Sequence, residues 1–318
     1  MLSREAERIY WMARYIERAE NTARLVNAYM NEILDLPRGV EPGWGQLLYI
    51  TASEERFATR YQNVDERNTI KFLLADDFNP SSILSCVTAA RENVRTTRDR
   101  LPTEAWENVN ELYLYAKDNV QKGIGRRERF YFLKTIIFRC QQITGLLAGT
   151  MSHDVAYSFA RVGRNLERSD MSTRIVDSAV ALLMPRKEEP APFDNILWVN
   201  VLKSLSAYQM YRLHVRRPVE GEAVVRYLLQ DTQFPRAVTH TMIEVVSCLN
   251  DLPRNDRPLR SVARLQRRIK DAEIGDMDLR TLHAFIDELQ LGLAALHESI
   301  QTNWFSFEAA QAQSQTAA

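Results

Sequence analysis

Glycine and proline are scarce in this 318-residue chain, eleven of each, and the prolines fall mostly between stretches of helical periodicity. No segment alternates with period two between hairpin signals, so strands are not expected. Cysteine is scarcer still. Cys86, Cys140 and Cys248 are scattered and odd in number, which suits buried thiols in a reducing compartment rather than a disulfide frame. An excess of charge is also missing, because 41 basic and 41 acidic residues cancel. No global field draws the chain to nucleic acid or to an anionic membrane. Uncharged apolar runs are too short to span a bilayer, and Arg4, Glu5, Glu7 and Arg8 interrupt any secretory signal at the start. A cytoplasmic, mainly helical protein is the expectation.

Catalytic signatures are missing as well. There is no glycine-rich phosphate loop, no Cys-x-x-Cys pair and no Gly-x-Ser-x-Gly elbow. Ferritin-type metal sites need Glu-x-x-His on two helices, and none of His153, His214, His240, His283 and His297 follows a Glu by three. His240/Glu244 and His283/Asp287 stand four apart and read as ordinary helix-surface contacts, and Cys140 reads as core. Neither a metal nor another cofactor is expected.

What is present is a repeat. Arg14, Glu17, Arg18 and Arg24 recur 150 positions later as Arg164, Glu167, Arg168 and Arg174. When 3–31 is laid over 153–181, the other identities are Ala6/Ala156 and Val26/Val176, while apolar positions drift among equivalents such as Ile16/Leu166 and Leu25/Ile175. A solvated charged face contributes little to stability and should diverge first. Here the charges are what stayed. At about 100° per residue the four share one stripe, opposite Met12, Ile16, Ala23, Val26 and Met30 in the first copy and Val162, Leu166, Val176 and Val180 in the second. The bland reading is a wet stripe of local pairs worth ~0.2–0.5 kcal/mol each. The duplication favours the other, a buried or interfacial cluster in which the guanidinium fork holds a carboxylate as Lys cannot.

Phe72-Leu-Leu-Ala-Asp76 followed by Pro80 matches Tyr227-Leu-Leu-Gln-Asp231 followed by Pro235 at an offset of 155, and Trp44/Leu48 matches Trp198/Leu202 at 154. The repeat unit is therefore half the chain: a first repeat at 1–150 and a second at 151–305. They are expected to pack as one body, because Leu146 to Asp154 has little linker character, and 306–318 reads as a disordered tail. The fold expected is an all-α helical bundle built from an internal tandem duplication with approximate two-fold symmetry. Its helices are placed at 3–36, 43–61, 65–75, 82–100, 104–121, 127–149, 153–184, 195–214, 220–231, 235–250, 257–273 and 278–303. A second charged cluster, Arg91, Glu92, Asn93 and Arg95, lies on 82–100 and reads either as a solvated face or as an anion or carboxylate site. The basic run from Arg254 to Lys270 has no comparably basic counterpart in the first copy, and nucleic-acid binding is not expected.

Trp11-Met-Ala-Arg-Tyr-Ile-Glu-Arg-Ala-Glu20, Gly163-Arg-Asn-Leu-Glu-Arg-Ser-Asp170 and Asn79-Pro-Ser-Ser-Ile83 leading to Ala90-Arg-Glu-Asn-Val-Arg95 and Trp106 resemble the bacterial alpha-E family across nearly the whole chain. That family is named for a Glu-Arg motif on helices and is typically a tandem duplication. The resemblance implies a role beside ATP-grasp and transglutaminase-like proteins in a peptide synthesis or modification system. Two function classes follow. The chain is either a non-catalytic helical partner that binds an enzyme, a peptide or a carboxylate, or an enzyme acting on a peptide or amide with Glu17 or Glu167 as base and neighbouring Arg as anion holder. A Glu between Arg residues keeps its charge and makes a mediocre base, which favours the first. An open, solvent-connected cavity at the clusters would favour the second.

Overall fold

A computed structural model describes residues 1–35, 43–184 and 194–306, and every regular element among them is helical. Two long helices carry the two charged stripes, α1 at Ser3–Asp35 and α8 at Val155–Leu183. Between them lie α2 (Gly45–Ile50), α3 (Glu54–Ala58), α4 (Glu66–Leu74), α5 (Ile83–Arg95), α6 (Thr103–Ile124) and α7 (Arg126–Thr150). After α8 come α9 (Asp194–Ser204), α10 (Tyr208–His214), α11 (Gly221–Gln230), α12 (Val238–Asn250), α13 (Asp256–Lys270) and α14 (Leu279–Ile300), which a π turn at Gln301–Phe305 extends.

The core forms around α1 and α8, which pack along one another. α1 is flanked by α5 and α7, and α8 by α12 and α14; α9 from the second half covers α1, and α2 from the first half covers α8. An amphipathic helix ordinarily buries one stripe. These two bury both, because the apolar face of each meets its own flanking helices while the charged face turns towards the other long helix.

Gly163 sets how closely the pair approaches. A Cβ there would stand 2.3 Å from the Tyr10 carbonyl oxygen and 3.1 Å from the carbonyl carbon. The obstacle is backbone and cannot rotate aside. Gly163→Ala is therefore expected to push α1 off α8 and to lower the unfolding free energy by about 1–3 kcal/mol in a denaturant melt. A gain of about 1 kcal/mol, which alanine's helix propensity alone would give, would show that the crossing relaxes freely.

Three expected helices break, each for a local reason. The segment 43–61 divides into α2 and α3, and 195–214 into α9 and α10, at residues in the left-handed region: Ala52 (φ 46°) and Ser206 (φ 52°). Each break closes with a bond from the residue after it back across the turn, Ser53 N to Leu48 O at 3.0 Å and Ala207 N to Leu202 O at 2.7 Å. This six-to-one closure normally uses glycine, so neither break has the usual signature. Ala52 and Ser206 are 154 apart, the same offset as Trp44 and Trp198. The segment 82–100 ends as an α-helix at Arg95, where the hydroxyls of Thr96 and Thr97 return to the carbonyls of Glu92 and Asn93 and compete with helix continuation. Arg98–Arg100 form a separate 3-10 turn. The expected tail beyond Ser306 lies outside the described residues.

Candidate functional site

The Glu-Arg residues meet in the middle of the molecule, where they exchange partners between the two long helices. Glu167 on α8 accepts from Arg14 Nε at 2.7 Å, Arg18 Nε at 2.6 Å and Arg18 Nη2 at 3.0 Å, all on α1. Glu17 on α1 accepts from Arg168 Nε at 3.0 Å and Arg168 Nη2 at 2.8 Å, on α8. Each carboxylate thus sits in a guanidinium fork supplied by the opposite helix. Enclosure of Glu17 by Arg14, Arg18 and Arg24 of its own helix does not occur. Arg14 and Arg18 instead reach across the helix crossing to Glu167, and Arg24 bonds to Glu20.

The fork on Glu17 is completed by a residue that the repeat did not expose. Arg236, just before α12, donates to Glu17 Oε1 at 3.0 Å, Glu20 Oε1 at 2.9 Å and Asn21 Oδ1 at 2.7 Å. At the 155 offset its counterpart is Ser81, whose Oγ lies 3.5 Å from Arg18 Nη1. Arg24 and Arg174, the outermost retained arginines, do not touch either central Glu. They bond back one turn, Arg24 Nε to Glu20 Oε1 and Arg174 Nε to Asp170 Oδ2, both at 2.8 Å. Glu20 and Asp170 are themselves 150 apart, an acid-for-acid match that a comparison by identity passes over.

Arg164 does not pair as Arg14 does. Its counterpart Arg14 grips Glu167, but Arg164 has no hydrogen-bond or ion-pair partner among the described residues, and its Nε is buried without one. Burial, reinforced by the neighbouring Arg168, lowers the proton affinity of Arg164. It lines a cavity with Ile16, Glu17, Ile143 and Tyr157 that leaves about 20 Å³ of free room, enough for one water.

The central carboxylates are closed off. Glu17 is 1% exposed and Glu167 3%. Burial alone would raise both carboxyls; Arg168 and Arg236 around Glu17, and Arg18 and Arg14 around Glu167, overcome it and hold each near a pKa of about 2. Arg14 is further fixed by lying 4.9 Å over the Trp11 ring, and its Nη1 donates to Tyr10 Oη, which bonds His297 Nδ1 at 2.8 Å. A carboxylate so charged and so enclosed can neither meet a substrate nor take a proton near neutral pH.

The second charged cluster is at the surface and does not join the first. Arg91 is held by Asn110 at 2.7 Å and lies over the rings of Tyr113 and Trp106. Glu92 pairs with Arg95 in an exposed local bridge, and the Asn93 carbonyl caps the end of α5. The two His-acid pairs also depart from expectation. His240 turns to the Thr232 carbonyl and Glu244 to Arg161, while His283 lies nearer to Asp177 on α8 than to Asp287.

The sequence from residue 1 to 305 matches the Alpha-E family, described as a predicted α-helical domain with a conserved ER motif. The chain belongs to the Alpha-E family. Glu-Arg falls three times on the facing long helices, at Glu7-Arg8, Glu17-Arg18 and Glu167-Arg168, and the last two are the pairs that meet across the crossing. Proteins similar to the chain include uncharacterized proteins of Mycobacterium bovis, 23% identical, and of Mycobacterium tuberculosis H37Rv, 22% identical, in each case over 92% of this chain. The chain spans 35% of the length of these relatives. No solved structure matches the chain.

Proposed function

We propose that this Alpha-E protein is a non-catalytic helical partner in a peptide synthesis or modification system, acting beside ATP-grasp and transglutaminase-like enzymes. The observation that carries the non-catalytic part is the enclosure of Glu17 and Glu167, each locked in arginine forks and almost wholly removed from solvent, with room for about one water in the cavity beside Glu17. The alternative, a peptide- or amide-acting enzyme with these Glu residues as bases, needs an accessible carboxylate, and neither Glu is one. The partner enzymes come from the family resemblance. The relatives agree with a division of labour, since a chain like this one makes up about a third of each, and the remainder leaves length for other domains.

The same reading takes the chain as a tandem duplication, with repeats at 1–150 and 151–305 packed as one body about an approximate two-fold axis. Reciprocal pairing of Glu17 with Arg168 and of Glu167 with Arg18 supports it, as do the matched left-handed breaks at Ala52 and Ser206. No helix among the described residues is long and apolar enough to cross a membrane, and a cytoplasmic location belongs to the proposal.

The test is a pull-down from the native host at physiological salt with identification of the proteins recovered. Specific recovery of an ATP-grasp or transglutaminase-like enzyme, reduced by substituting the exposed Glu92 and Arg95, is the expected result. Unaided turnover of a peptide or amide by the purified chain, abolished by Glu17→Gln with folding intact, would overturn the reading.

A further inference from the structure

The basic run on α13 has a counterpart in the first half, and its sign is opposite. At an offset of 153, α13 and α14 match α6 and α7: Lys117-Asp118 recurs as Lys270-Asp271, and the buried Val109, Leu112 and Phe132 recur as the buried Val262, Leu265 and Phe285. In this register Glu104, Glu107 and Glu111 on α6 become Arg257, Arg260 and Arg264 on α13. All six are exposed. The core positions keep their residues while three surface positions reverse their charge together. Two helix pairs, α6 packed on α7 and α13 packed on α14, thus present one acidic and one basic stripe at matched places.

These stripes are not neutralised from within. Glu111 meets Arg139 at 3.0 Å, but Glu104, Glu107, Arg257, Arg260 and Arg264 have no ion pair among the described residues. The exposed Arg267 prolongs the basic stripe and has no ion pair among the described residues either. Like charges one turn apart on a helix repel one another, so each stripe gains from a neighbour of opposite sign. Beside each stripe an apolar side chain stands in solvent at the same register, Phe138 on α7 at 65% exposed and Leu291 on α14 at 70%.

The neighbour that fits is another copy of the chain. From Glu104 to Glu107 to Glu111 the steps are three and then four, and from Arg267 back to Arg264 and Arg260 they are three and four again. An antiparallel α6 and α13 therefore bring three carboxylates against three guanidinium forks, the geometry in which Arg holds a carboxylate best. The same antiparallel placement sets α7 over α14. Basic and acidic residues cancel at 41 each, so two copies do not repel one another as wholes. We infer that the α6 face of one copy docks head to tail on the α13 face of a second, with Phe138 and Leu291 covered at the edges of the contact. The inference uses matched spacing and charge alone and is independent of the partner reading above. Because the two faces differ, every docked pair keeps one free face of each kind, and association continues past a dimer into a ring or a filament. A contact made of exposed charges is weak and sensitive to salt.

The test is sedimentation velocity on the full chain over a range of concentrations, at about 0.1 M salt, where screening sets in over ~10 Å, and at about 1 M, where it sets in over ~3 Å. A sedimentation coefficient that rises with concentration at low salt and returns to that of a single chain at high salt is expected. One variant carries Arg260→Glu, Arg264→Glu and Arg267→Glu, and a second carries Glu104→Arg, Glu107→Arg and Glu111→Arg. Each alone should stay a single chain at low salt, and an equimolar mixture of the two should associate again, because each then meets the opposite sign. All the changes are at exposed positions, circular dichroism checks that the helices are kept, and recovery on mixing cannot come from a damaged fold. A wild-type chain that stays single at every concentration in low salt overturns the inference. So does association that survives the high salt or persists in either variant alone, and so does a mixture that fails to associate, the stripes then being solvated faces or the seat of a different partner.

Discussion

Glu167→Ala should lower the unfolding free energy by about 3–5 kcal/mol, because it leaves the buried Arg14 and the half-buried Arg18 guanidinium groups without a counter-charge. Arg14 and Arg18 both end on this carboxylate, and neither pairs with another acid among the described residues. Glu17→Ala should cost slightly less within the same range, since Arg236 keeps Glu20 and Asn21 while Arg168 loses its anion. An exposed pair removed for comparison, Glu92→Ala beside Arg95, should leave the midpoint close to that of the wild type, because solvent screens it. The measurement is a denaturant midpoint at pH 7 with an unchanged slope. Near-wild-type midpoints for both Glu17→Ala and Glu167→Ala would refute the enclosed lattice. A triple variant with Glu167, Arg14 and Arg18 made apolar at similar volume should recover much of the loss, because the penalty comes from the orphaned charge rather than from losing a favourable bond.

That last point bears on why the charges are there. Two desolvated carboxylates and their arginines are an expensive way to join two helices that leucines could join more cheaply. What the lattice adds is register. An apolar seam tolerates a slip of one turn, while Arg14 and Arg18 reach Glu167 only at one offset of α1 along α8, and Arg168 and Arg236 reach Glu17 only at the same offset. The two exchanges agree with each other, so a sliding error breaks both. Gly163 adds a steric limit at the same crossing.

The stripe itself was legible because retained charges on a drifting helix are anomalous, and helical periodicity placed Arg14, Glu17, Arg18 and Arg24 on one face. Periodicity gives a face but not a partner, which is why the exchange between α1 and α8 had to come from coordinates. Arg236 escaped because the repeat aligns it with Ser81, and reading by internal identity discards a residue present once. The breaks at Ala52 and Ser206 escaped because their left-handed residues are not glycine. Asp177 escaped for a simpler reason: its partners Tyr49 and His283 lie 128 and 106 positions away, and nothing local links them. The all-helical class was legible throughout, since it needs only the scarcity of breakers and long apolar periodicity.

Acid should unfold this protein steeply, in two stages with different causes. His297 is the first. Burial, with Arg14 nearby, lowers its pKa to about 4 from 6.5, so the folded state resists a proton that the unfolded chain accepts. Stability is therefore lost as pH falls from about 6.5 to about 4. Glu17 and Glu167 act below that. Both are held at about 2 against an ordinary 4.5, so their contribution is complete above about 4.5 and disappears as pH falls through about 2. Each buried carboxylate contributes on the order of 3 kcal/mol by this linkage, and the two together approach the whole stability of a typical domain, ~5–15 kcal/mol. Denaturant unfolding at constant ionic strength and pH 7, 5.5, 4 and 3 should show a shallow decline followed by a steep one. His297→Gln should flatten only the upper limb. Glu17→Gln, uncharged at every pH, should start less stable and lose about half of the lower slope. A stability that stays level from pH 7 to pH 3 would mean that neither carboxylate is held by its arginines in the folded state.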